Sequence, residues 1–301
     1  MRGRDIILGL IVVVLWGLNF IAIKTGLQNI PPLFLGSLRF IAATLPAIFF
    51  LPRPPIAWRR LISLGLTINV GQFTFLFLGM KLGMPAGLAS LVIQAQAFFT
   101  LAFAALLLKE HWCWNHIAGL VLAACGMTII GFVQEGGMTA IGFWLTLAAA
   151  ASWGIGNIIM RKATQGVPPY SSLSLVVWAG SIAIPPLLFL SWNMEGPAAW
   201  HLAWQSSTWA DAASVIYLAF FATLGGYALW GKLLSRYPAA IVSPFALLVP
   251  VVCIASSAFL LGETLSLWQV FGVSLVMAGL VIHVLGDRLR SKNRFHLKLT
   301  S

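Results

Sequence analysis

The sequence predicts an all-α membrane protein with ten transmembrane helices, arranged as two inverted five-helix repeats. Three observations carry that prediction. The 301 residues are 60% hydrophobic and only 8% charged, with a mean hydropathy of +0.94, whereas soluble globular chains are charged at about a quarter of their positions. Short motifs recur at fixed offsets: Trp16-Gly17 and Pro31-Pro32 return 137 residues later as Trp153-Gly154 and Pro168-Pro169, while Pro85, Glu110, Gly119 and Gly126 return 153 residues later as Pro238, Glu263, Gly272 and Gly279. Lys and Arg also segregate to one side of the membrane once ten spans are laid out.

Each span is an apolar stretch bounded by charge or turn residues, and about 20 such residues cross a hydrocarbon core of roughly 30 Å. The first, 6–23, follows Arg2 and Arg4 and so resembles a secretory signal, but nine further spans make an uncleaved helix the expectation. The second, 33–51, runs from Pro31-Pro32 to Arg53, and the third, 61–80, from Arg59-Arg60 to Lys81. The fourth, 86–108, lies between Pro85 and Lys109, and the fifth, 115–133, ends before Glu135-Gly136-Gly137. The second set is 139–160, closed by Arg161-Lys162; 171–191, after Pro168-Pro169; 211–231, closed by Lys232; 239–261, after Pro238; and 266–285, before a basic tail. Backbone groups in lipid must be satisfied within a segment or a closed barrel, and runs this long without period-2 alternation mean helices. The offsets differ by 16, which places an extra loop within Ser191 to Asp211, expected to be non-helical over 192–210. The repeats are 1–136 and 137–288, with a tail at 289–301.

With the N-terminus inside, Arg2, Arg4, Arg53, Arg59, Arg60, Lys109, Arg161, Lys162, Lys232, Arg236 and the five basic residues from Arg288 to Lys298 all face the cytoplasm. Lys24 and Lys81 alone fall outside, and Arg39 lies within the second span. The net charge of +11 therefore reports topology, and the basic tail suits lipid headgroups rather than nucleic acid. Cys113, Cys125 and Cys253 have neither the number nor the spacing of a disulfide framework or a zinc site. An odd number of spans per copy inverts the second relative to the first, the pattern of carriers that expose a midplane site alternately to the two sides.

Trp16-Gly17-Leu18-Asn19-Phe20, Arg39-Phe40, Pro85-Ala86-Gly87 and the Glu after each fourth-type helix resemble the EamA family of the drug/metabolite transporter superfamily, over about residues 5–288. The run Gly83 to Thr100 is similar to that of bacterial exporters of cysteine and O-acetylserine. The resemblance implies ten helices, an inner-membrane location with both termini cytoplasmic, and outward movement of small amino acids or related metabolites. Other members would carry aromatic amino acids or drugs instead.

Polar side chains within lipid are costly and usually face a partner helix or a wet cavity. Asn69 and Gln72, three apart, share a face of an α-helical third span, whereas Gln94 and Gln96 point to different sides of the fourth. Trp16 with Asn19, and Trp153 with Asn157, make Trp-plus-amide faces on the first helix of each repeat, to line a pathway or to hold helices together by hydrogen bonds. Arg39, whose repeat counterpart is Val176, either snorkels to the interface or anchors a carboxylate through its planar fork. Tyr227, with Trp178 and Trp230, is a candidate aromatic wall or part of the interfacial belt. With no Asp or Glu in the interior of any span, a zwitterion would set its carboxylate at Arg39 and its ammonium against amide oxygens or aromatic faces. Glu110 and Glu263 either offset the N-terminal dipole of the next helix or act as latches. Pro244 and Pro250 kink the ninth helix, and Pro185-Pro186 the seventh, with no proline at the counterparts Leu91 and Ala97. Gly119 with Gly126, and Gly272 with Gly279, line helix faces for close packing.

No cofactor is expected. The five His are scattered, no nucleophile has a base beside it and no Gly-x-x-x-x-Gly-Lys-Ser/Thr loop occurs, which argues against an enzyme or an ATP-driven pump. The expected partners are a small amino-acid-like solute and the bilayer.

Overall fold

Large apolar side chains crowd both the centre and the rim in the computed structural model of the chain, which describes the backbone of residues 1–109, 114–133 and 137–297. Phe50, Phe132 and Phe259 are each more than 80% exposed, a surface that suits acyl chains rather than water. Every regular element among the described residues is helical. Eight runs are long and apolar enough to cross a membrane: Gly3–Gly26, Trp58–Lys81, Ala86–Leu108, Ala140–Thr164, Ser172–Met194, Trp209–Arg236, Ser243–Leu261 and Leu267–Val284. Two shorter apolar helices, Pro32–Ile48 and His116–Phe132, fill the remaining expected positions. Numbered along the chain, Pro32–Ile48 is the second helix and His116–Phe132 the fifth.

The helices pack mainly across the two sequence halves. The fifth lies against the tenth, the second against the seventh, the first against the eighth and ninth, and the sixth against the third and fourth. The fifth and tenth meet glycine to glycine: a Cβ on Gly126 would lie 2.5 Å from the Gly272 carbonyl oxygen, and one on Gly279 2.5 Å from that of Gly119. Small residues admit this approach, and backbone contact gives dispersion where lipid supplies no hydrophobic drive. The centre of the molecule is the start of the fourth helix, buried without interruption from Met84 to Ala95.

The α-helical geometry breaks at four places inside the spans. The third helix is π-helical over Gly65–Gly71 and the eighth over Tyr217–Gly225. The fourth tightens to a 3-10 helix at Ile93–Ala95 and the ninth at Ser243–Leu248. Pro244 opens that second 3-10 segment and Pro250 the α-helical turn after it, so the expected break is present, although the fourth helix makes a shorter one without proline. Pro185 and Pro186 sit inside a continuous seventh helix. Both the fourth and ninth helices end on a left-handed residue, Lys109 at φ 56° and Gly262 at φ 66°, positions separated by the same 153 residues as the motifs.

The expected non-helical loop at 192–210 is instead mostly helix. The seventh helix runs on to Met194, Gly196 turns the chain at φ 82°, and Gly196–Ser206 forms a short surface helix with proline in its first turn. Proline's fixed φ and missing N–H suit that position. Trp200 ties this helix down by stacking on Phe34 at 4.8 Å and donating to Ser191 Oγ at 2.7 Å.

Candidate functional site

Pro32 starts the second helix, whose next free N–H groups, on Leu33 and Phe34, donate to the Glu195 carboxylate at 2.7 and 3.1 Å. A carboxylate suits the positive end of a helix, and this one fixes the helix two turns above Arg39. The Arg39 side chain turns inward and is only 3% exposed, so it does not snorkel. Its Nε and Nη2 donate to Thr223 Oγ1 at 3.1 and 2.9 Å, Nη1 reaches Asn19 Oδ1 at 3.5 Å, and Cζ lies 4.2 Å from the Phe73 ring centroid.

The π-helical turn of the eighth helix presents Thr223 in the orientation Arg39 needs. Thr223 spends its single hydroxyl proton on Leu218 O, five residues back, at 2.7 Å, which leaves its lone pairs to the guanidinium. Trp16 Nε1 donates to Ala222 O in the same turn at 3.1 Å. The Trp16 ring packs between Tyr227 and Trp230, with centroids 5.3 and 5.1 Å away. Gly226 permits this, because a Cβ there would stand 2.5 Å from the indole nitrogen. Trp16, Asn19, Arg39 and Tyr227 thus gather around one point between the first, second and eighth helices, and Thr223 and Phe73 join them unforeseen. A mid-span Gly225-Gly226 pair was the one sequence signal for Thr223.

Among the described residues, the partners of the Arg39 guanidinium are neutral. The acidic side chains that the structure describes are committed elsewhere: Asp5 to Arg236 and Tyr237, Glu195 to the second helix, Asp211 to Asn29 and Thr208, and Glu263 to Ala86 and Gly87. A buried unpaired ion costs several kcal/mol even after relaxation. Three of the five guanidinium N–H groups meet protein acceptors, so the site keeps donors and a net charge for something else.

The other candidates divide. Asn157 donates to Gln96 Oε1 at 2.7 Å and Thr100 Oγ1 at 3.0 Å, binding the sixth helix to the fourth away from Arg39. Gln94 donates to Ala246 O at 3.0 Å, a carbonyl in the 3-10 segment of the ninth helix. The two glutamines thus face different neighbours. Asn69 is half-buried within the π-helical stretch, and the wider turn of i→i+5 bonding undoes the α-helical reasoning that gave it a common face with Gln72. Gln72 itself is buried, and its Oε1 makes no hydrogen bond.

Glu263 does not serve the next helix in the chain. Its two oxygens accept from Ala86 N at 2.7 Å and Gly87 N at 2.9 Å, so it clasps the start of the fourth helix from the other half of the chain. The αL residue Gly262 turns the chain back to make that reach. Glu110 lies outside the described residues. Trp178 donates to Leu51 O at 3.0 Å and meets Trp58 edge-on, past the C-terminal end of the second helix.

Comparisons with known proteins agree with this arrangement of helices. A solved crystal structure aligns with a TM-score of 0.61 over 96% of this chain and 99% of its own at 19% identity, which shows a shared fold. A "Probable amino-acid metabolite efflux pump" of Salmonella typhimurium is 49% identical over 98% of this chain and 99% of its own length, and one of the same description from Escherichia coli is 45% identical over 96% and 98%. A "Probable terminal-alkyne amino-acid exporter" of Streptantibioticus cattleyicolor is 26% identical over 90% of each chain. The model of the EamA-like transporter family matches twice, at residues 4–132 and 140–285, and with near full-length relatives at this identity the chain belongs to that family of multi-pass membrane transporters.

Proposed function

We propose that this transporter exports small neutral amino acids and related metabolites, cysteine and O-acetylserine among them, across the inner membrane by alternating access. The observation that carries the reading is Arg39, a buried guanidinium with neutral partners and donors to spare. A substrate carboxylate fits it as a bidentate acceptor, while a cationic drug would meet like charge. The descriptions of the Salmonella, Escherichia and Streptantibioticus relatives point to the same substrate class.

The working parts are two inverted repeats, 1–136 and 137–288, each of five helices. The cross-half packing supports this, since exchanging first for sixth, second for seventh, and so on to fifth for tenth turns the contact pattern into itself. Both third-type helices carry a π-helical segment and both fourth-type helices a 3-10 segment. Trp16, Asn19, Arg39, Gln72 and Tyr227 hold the substrate with Thr223. Gln94 joins the 3-10 break of the fourth helix to that of the ninth, Asn157 ties the sixth helix to the fourth just past its break, Asn69 lines the π-helical turn, and Pro244, Pro250 and Glu263 belong to the moving frame.

Efflux from proteoliposomes preloaded with labelled amino acids tests the reading. Saturable release of cysteine or O-acetylserine, accelerated by unlabelled substrate outside, is the expected result. Release no faster than from protein-free vesicles across the whole panel would refute it.

Both termini are cytoplasmic in this scheme and the surface helix Gly196–Ser206 is outside. Cysteine at Ala198, exposed and helical, in a background lacking the three native cysteines, should react with an impermeant thiol reagent added to intact cells. Ala198 is a better reporter than Gly196, whose positive φ a cysteine would strain. Labelling only after permeabilisation would reverse the topology.

A further inference from the structure

Gln72 is an anomaly that the proposed carboxylate site leaves unexplained. It lies at the middle of the third helix, is 5% exposed, and its Oε1 is buried with no hydrogen-bond partner. An unmet acceptor in a protein interior is costly, and water cannot reach a bilayer midplane freely to relieve it. The α-helix resumes at Gln72, so its direction comes from ordinary helical geometry. Leu76 and Met80, one and two turns further, are 2% and 1% exposed, which puts Gln72 on a stripe facing the interior rather than lipid. Gly71 and Gly79 mark the stripe against the sixth helix, where added Cβ atoms would strike Ser152 Oγ and Thr146 Oγ1. Phe73 and Phe77 mark the stripe toward the second helix, with Phe73 beneath the Arg39 guanidinium at 4.2 Å and edge-on to Phe40 at 5.5 Å.

Adjacent residues of one helix therefore present opposite chemistry: Phe73 supports a donor-only cation, and Gln72 offers a bare acceptor. We propose that Gln72 Oε1 receives the ammonium group of the substrate, making it the residue that distinguishes α-amino acids from carboxylates lacking the amine. This rests on the reading of Arg39 as the carboxylate anchor. A neutral amide suits the task in this chain, because Asp5, Glu195, Asp211 and Glu263 are each engaged elsewhere. The α-carbon joins the two charged groups of an amino acid, so a solute held at Arg39 must turn its ammonium toward some acceptor, and among the described residues Gln72 supplies a buried amide oxygen without a donor.

The test uses the purified full-length protein in proteoliposomes, with counterflow of labelled L-cysteine and two competitors. 3-Mercaptopropionate lacks the amine and cysteamine lacks the carboxylate. Wild type should prefer unlabelled cysteine over each by at least about tenfold, the lower end for one hydrogen bond to a charged group. In Gln72→Leu the preference over 3-mercaptopropionate should collapse toward onefold while the preference over cysteamine survives. Gln72→Glu, which keeps the shape and adds charge, should widen the preference over 3-mercaptopropionate. Arg39→Gln should show the reverse pattern, losing discrimination against cysteamine. If Gln72→Leu and Gln72→Glu both keep the wild-type ratio of cysteine to 3-mercaptopropionate, the amine site is elsewhere. If instead Arg39→Gln keeps its preference over cysteamine, the carboxylate reading fails separately.

Discussion

Replacing Arg39 by glutamine is expected to cut carboxylate-dependent export by about a hundredfold, the loss of a charge-assisted hydrogen-bonded pair, while the amount of protein in the membrane stays the same or rises. The two halves of that outcome come from the same geometry. Arg39 is buried with Thr223, Asn19 and Phe73 around it and no carboxylate among its described partners, so removing the charge removes a desolvation cost that nothing in the protein fully offsets. Glutamine keeps N–H donors but loses both the fork and the charge. Arg39→Lys retains a charge without the planar geometry and should fall in between, at about tenfold. Initial rates of efflux, normalised to protein recovered in the vesicles, measure both variants. Wild-type rates in Arg39→Gln would reduce the residue to a packing element.

Gly126→Val should produce the largest loss of stability among single substitutions in the helix pairs. Its Cβ would fall 2.5 Å from Gly272 O and 2.7 Å from Val276 Cγ2, and the first of these is backbone, which has no rotamer to yield. The fifth and tenth helices must separate, and their contact is renewed at Gly119 and Gly279 two turns away. Overpacking of this kind costs about 1–3 kcal/mol, and the upper end is expected because the whole interface shifts. Gly36→Ala is the control. A Cβ there meets Leu187 at 3.6 Å, an ordinary contact, and helix propensity favours alanine by roughly 0.5–1 kcal/mol. Melting of the detergent-solubilised variants should show Gly126→Val well below wild type and Gly36→Ala at or above it. Equal melting of all three would mean that the glycine crossing contributes little.

Hydropathy, motif offsets and basic-residue placement determined the helices and their order, because each depends on composition or on spacing along one segment. The seam between fifth and tenth helices was legible for the same reason, since glycines seven apart must share a face. Arg39 could be singled out as the basic residue within a span, but its two readings, snorkelling or anchoring, are separated by rotation of one side chain, which packing alone sets. What only the tertiary structure decided lies where partners are distant in the sequence. Thr223 meets Arg39 across 184 positions, and Glu263 meets Ala86 across 177. The π-helical turns belong to the same class. An extra residue in a turn is stabilised when something outside the helix takes the displaced carbonyl, as Trp16 does for Ala222 and Ser152 for Thr67. A side chain's cost in lipid can be read from its type, but whether that cost has been met depends on which helix stands opposite, and among the described residues the Gln72 amide oxygen is one place where it has not.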